Sequence, residues 1–215
     1  GDYASNNGTG SNGFDAKDIL GNPSWRCWAL DTMLNGSSSD LTVPSKDIDY
    51  NHKDKIEGYT YNNADQHQAS NLYSNGLLKK IAQMNADNKI AAASFYNYSS
   101  VVQNWTSVSN MTSPIAYTNN QGTNYVAGLQ AARDLLQNET IANDGNDKVL
   151  VFLSDGLPTK HFATLDTKPT SDNLKGSGKE DQDEYNIAAQ AIEDFKTLFA
   201  EDIESGKLEI YTVAV

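Results

Sequence analysis

Thiol chemistry is nearly absent from this chain. Cys27 is the single cysteine among 215 residues, so no intrachain disulfide and no thiolate metal cluster can form. It lies in Trp25-Arg26-Cys27-Trp28, on a helical stretch where a free cysteine reads as a small buried apolar group. Cationic side chains are scarce as well. Arg26 and Arg133 are the only arginines, and 16 basic against 28 acidic residues leave a net charge of −12. A surface this acidic repels phosphate backbones and attracts cations, which argues against nucleic acid as a partner. No apolar run approaches the roughly 20 residues a membrane helix needs, so no membrane insertion is expected within the chain. A mean hydropathy of −0.58 is low for a compact enzyme and points to long polar loops. No serine nucleophile elbow, phosphate-cradling glycine loop or histidine pair is present, so the motifs name no catalytic residue.

What is present is an α/β pattern. Residues 149–153 form an unbroken apolar run rich in β-branched side chains, the signature of a strand buried on both faces of a parallel sheet. The run stops at Ser154-Asp155-Gly156, with Pro158 just beyond. An Asp at the carboxyl end of such a strand stands where open α/β sheets bind ligands; turn capping is the plainer role for Asp-Gly. Upstream, Asn22-Pro23 opens a helix that Asn35-Gly36 closes. Residues 37–68 are polar and aperiodic, too long for an ordinary connection, and read as an inserted arm. A helix over about 69–86 leads to a small-residue strand at 89–95 and an antiparallel return over 98–105. Thr123 caps a helix to Gln137, and residues 183–204 form a strong amphipathic helix before a last strand over 208–215. Strands and helices alternating in this way imply one α/β domain over 1–215 with a largely parallel sheet. His161 reads as a solvated loop histidine, and the acidic run 180–184 as the negative first turn of the following helix.

Two polar turns should meet above that sheet: Gly122-Thr123-Asn124 and Ser154-Asp155-Gly156. A hydroxyl and a carboxylate are hard oxygen donors and suit Mg²⁺, Mn²⁺ or Ca²⁺ rather than a soft metal. Residues 121–130, followed after a helix by 149–159, closely resemble the second and third metal-site segments of the von Willebrand factor A domain. The resemblance implies a Rossmann-like, mostly parallel sheet with helices on both faces. It also implies a metal-ion-dependent adhesion site in which Thr123 coordinates one divalent cation directly or through water. Asp155 balances the charge, and an acidic side chain of a partner protein completes the shell. The family's D-x-S-x-S motif, which follows its first strand, does not occur in this chain. Gly1 to Leu34 resembles the loop and helix that come after that motif, so the chain is expected to begin just downstream of it. The family's first, central strand and its last strand and helix would then come from an upstream segment, another chain or further parts of a longer protein. The polar arm resembles pilus-tip and other surface adhesins of Gram-positive bacteria. That implies an extracellular, cell-wall- or pilus-associated module that binds a host or matrix protein. A structural A domain with an incomplete metal site and a metal-dependent hydrolase are the alternative classes.

Overall fold

A computed structural model describes residues 33–36, 59–62, 66–69, 72, 74, 76–115, 122–154, 157–179 and 181–214. The chain divides into two compact units, residues 1–90 with 106–119, and residues 91–105 with 120–215. Cys27, the start of the first helix, most of the polar arm and Asp155 lie outside the described residues.

In the first unit, residues 33–35 are helical and Gly36 ends the helix at φ +83°. This is the left-handed conformation that makes glycine the usual helix stop. β1 (Tyr59–Asn62) and β2 (Gln66–Ala69) pair antiparallel, so the tail of the arm expected to lack periodic structure contains a hairpin. Its Tyr-Thr-Tyr run supplies β-favouring residues that a search for long periods passes over. The helix expected from residue 69 starts only at Leu77 (α1, Leu77–Met84). Gly76 is its cap, and a methyl there would lie 2.8 Å from the Asn35 carbonyl oxygen, among backbone atoms that cannot swing aside. The buried Asn35 carboxamide in turn accepts from Ile115 N at 2.9 Å and donates to Ile115 O at 3.1 Å. Among the described residues of this unit, Leu78, Val108, Met111 and Ile115 are the buried apolar side chains.

β3 (Lys89–Phe95) and β4 (Ser99–Ser107) pair with each other across a three-residue connection, which admits only an antiparallel hairpin. In the second unit, α2 (Tyr125–Leu136) and the short α3 (Glu139–Ala142) precede β5 (Lys148–Ser154). α4 (Gln182–Leu198), α5 (Ala200–Glu204) and β6 (Leu208–Ala214) follow. The single amphipathic helix expected over 183–204 is thus two, divided at Phe199, which is buried. The cap of α2 is Asn124 and not Thr123: its side-chain oxygen accepts from Ala127 N at 3.1 Å. Asp144 opens the turn into β5, and the Lys148 ammonium at 2.8 Å, helped by Asn146, holds its carboxyl well below the usual carboxylate range.

β5 and β6 run parallel in register, Val151 beside Tyr211 and Leu153 beside Val213. One face of this ribbon, through Leu150, Phe152, Leu208 and Ile210, packs on a core of Val126, Leu129, Phe162, Ala191 and Phe195. α2 and α4 therefore cover that side. On the other face Val149 is 59% exposed and Tyr211 53%, with Val151 and Val213 also open. The expectation that β5 is buried on both faces is corrected here, because no described helix covers the second one. The described strands form three two-stranded sheets, ordered β1-β2, β3-β4 and β5-β6. The fold is mixed α/β with small sheets and a few helices; no Rossmann-like sheet is formed among the described residues. The physical reason is that no described strand pairs with both β3 and β5.

Candidate functional site

Three chain segments of the second unit converge where β3 and β5 end. The first is the Tyr96–Asn97 turn after β3. Tyr96 O accepts from Asn124 N at 2.9 Å, and Asn97 O accepts from Asn124 Nδ2 at 3.0 Å. Asn124 is fully buried and spends its remaining oxygen on capping α2, so one side chain fixes that turn to the start of α2. The second segment is Gly122-Thr123. The third is the stretch after β5, where Thr159 N donates to Thr123 O at 2.9 Å and Lys160 N donates to the same oxygen at 3.2 Å. Thr123 N donates to Thr159 Oγ1 at 3.0 Å. The half-buried Thr123 is thereby locked at both its backbone groups against the segment that follows Asp155.

Gly122 makes the close packing of this rim possible. Its φ is +84°, and a methyl on it would overlap Asn97 Oδ1 and stand 3.1 Å from Lys160 Cγ. Asn97 Oδ1 is buried with no hydrogen-bond partner among the described residues. An orphaned buried oxygen is uncommon, and an ion or water is one of the standard reasons for it. Asn97 escaped sequence reasoning because a lone Asn after a strand has no motif; its only sequence mark is a glycosylation-type N-x-S pattern.

Of the two residues singled out from the sequence, Thr123 lies on this rim, and Asp155 lies outside the described residues. The oxygen chemistry of the described part suits a hard dication: Thr123 and Asn97 offer neutral oxygens and no sulfur. It does not suffice alone. Among the described residues no group of three His, Cys, Asp or Glu side chains is arranged to hold a metal. The positive end of the α2 dipole also lies behind Thr123, which opposes a cation unless a carboxylate is added. Asp155 precedes Thr159 by four residues in the sequence and lies outside the described residues. The ammonium of Lys160 is bound to Gly176 O at 2.7 Å.

The rim is braced from behind by His161. Its side chain is only 13% exposed and its Nδ1 contacts Glu184 Oε2 at 2.5 Å. This corrects one expectation: His161 is not a solvated loop residue. The acidic run does supply the first turn of α4, with Asp181 as its cap and Asp183 and Glu184 within it, and of these Glu184 is buried at 1% exposure. An acidic first turn carries one carboxylate rotated inward, and composition cannot tell which. Comparison with known proteins adds no relative, for no protein-family model, curated protein or solved structure matches the chain.

Proposed function

We propose that the chain is a divalent-cation-dependent adhesion module of von Willebrand factor A type, part of an extracellular, pilus- or cell-wall-associated bacterial surface protein. In this reading Thr123 and Asp155 hold Mg²⁺, with Mn²⁺ or Ca²⁺ as substitutes, and no catalytic step is involved. The ion keeps positive charge to spare, because hard dications bound by few carboxylates retain water and accept a further oxygen. An acidic side chain of a host or matrix protein takes that position. The observation that carries the reading is the set of three hydrogen bonds joining Thr123 to Thr159 and Lys160 at the ends of the strands. It brings the turn before α2 to the segment following Asp155, at the carboxyl edge where α/β sheets bind ligands.

The same reading calls for a Rossmann-like sheet with one more central strand, between β3 and β5, supplied from outside the described residues. Two observations favour it. β5 pairs with β6 alone among the described strands. Phe95 of β3 and Phe152 of β5 stack at 4.9 Å beneath Gly128, so the two strands share one helix without sharing a sheet.

The test is calorimetric titration of the chain with Mn²⁺ and Mg²⁺, before and after EDTA treatment. Saturable binding of one ion, abolished by EDTA and restored by Mg²⁺, is the expected result. Absence of binding by either ion sinks the adhesion reading. It would favour a structural A domain with an incomplete site.

A further inference from the structure

The loop 157–179 is held to α4 by one buried carboxylate. Glu184 stands in the first turn of α4, where Asp181 Oδ1 accepts from Glu184 N at 3.2 Å and from Asp183 N at 3.1 Å. Its Oε2 meets His161 Nδ1, and its Oε1 accepts from Ser177 N at 3.3 Å. A carboxylate only accepts, so Nδ1 of His161 carries the proton of that bond. Burying a carboxylate costs several kcal/mol unless each oxygen is matched, and here both are. Around the pair the loop closes on itself. His161 and Lys175 exchange backbone bonds at 3.1 and 3.0 Å, Gly178 N donates to Thr159 O at 3.1 Å, and Lys160 Nζ reaches Gly176 O. Gly176, at φ +104°, touches Glu184 Oε1 so closely that a side chain there would collide with it, and would lie 2.7 Å from Thr159 O. An unbroken path of contacts therefore runs from Glu184 through His161 to Lys160 and Thr159, and from them to both backbone groups of Thr123.

We propose that Glu184 and His161 are positioning residues for the rim: their buried bond latches the 159–178 loop and so fixes Thr123 in the place it needs to serve a cation. The inference rests on the cation-site reading above. Neither side chain touches the ion. They act as outer-shell groups do, by removing freedom from a ligand, and loss of such groups costs roughly tenfold or more in metal affinity.

The experiment compares wild type with His161→Ala, His161→Asn and Gly176→Ala in the full chain. Two readouts are taken: amide hydrogen exchange at Thr159 and Lys160, and Mn²⁺ titration. In His161→Ala the two amides are expected to lose protection while those within α2 keep theirs, and Mn²⁺ affinity falls about tenfold. His161→Asn, whose carboxamide nitrogen can take the place of Nδ1–H, restores both readouts; a merely space-filling role would not be rescued this way. Gly176→Ala, which perturbs the latch from the opposite side, reproduces the His161→Ala result without altering the imidazole. Protected amides and unchanged Mn²⁺ affinity in His161→Ala overturn the latch. A wild-type chain that binds no Mn²⁺ overturns the cation reading instead, so the two failures are told apart.

Discussion

Replacing Asp155 with Ala is expected to remove at least about two orders of magnitude of Mn²⁺ affinity, a loss of about 2.7 kcal/mol or more. The physical basis is charge. At an effective dielectric of about 20, a unit charge about 4 Å from another interacts by about 4 kcal/mol, and a dication doubles this. Even when water between ion and carboxylate screens most of that, a hundredfold remains. The neutral oxygens of Thr123 and Asn97 cannot compensate, since the α2 dipole already disfavours positive charge at this rim. Asp155→Asn keeps an oxygen and loses the charge, so its affinity should fall nearly as far. Asp155 comes after the last residue of β5 in the sequence and neither substitution removes an apolar side chain, so far-UV circular dichroism should be unchanged in both variants. Unaltered Mn²⁺ affinity in Asp155→Ala, in a chain that binds the ion, would exclude this residue from the site.

A second large effect is expected from supplying the strand that the proposed sheet calls for between β3 and β5, since β5 pairs with β6 alone among the described strands. A seven-residue Val/Ile-rich peptide, matching the seven residues of β5 and flanked by lysines for solubility, should pair there. At a hundredfold excess over its Kd it should stabilise the chain by about 2.7 kcal/mol, following mass action for a ligand that binds only the folded form. Stacking of Phe95 on Phe152 limits the occupant: strands two places apart in a sheet are about 9.6 Å apart, so the inserted residue beneath these rings must be small. A peptide with Gly or Ala at its centre should therefore outperform one with Phe. A central Pro, which cannot donate to the ladder, should abolish the effect. The prediction is contradicted if the chain alone unfolds in one sharp, cooperative thermal transition that no peptide shifts. Without the peptide, the open apolar face of Val149, Val151, Tyr211 and Val213 is a surface prone to self-association.

Much of the element order was legible in the sequence because it depends on local pattern. Strands at 89–95 and 148–154 appear within a residue of where the apolar runs put them, and Gly36 stops its helix as glycine does. What was not legible depends on distant partners. Gly76 begins α1 because the Asn35 backbone passes next to it, and nothing in its neighbours' identities says so. Apolar runs like 149–153 state that two faces are fit for burial, not that both are covered; Val149 and Val151 are open because covering requires another element. The site divides in the same way. Thr123 was reachable from a motif, while Asn97 and the Glu184–His161 bond were not. A buried carboxylate and a surface one have the same letter, and only the fold turns Glu184 inward beside His161.

The most direct measurement is the position of Mn²⁺ in crystals of the chain, located by its anomalous scattering. The account predicts a single strong peak at the strand ends, bonded directly or through one water to Thr123 Oγ1 and to the Asp155 carboxylate. A peak elsewhere, or an Asp155 side chain turned into the apolar interior away from Thr123, would contradict it.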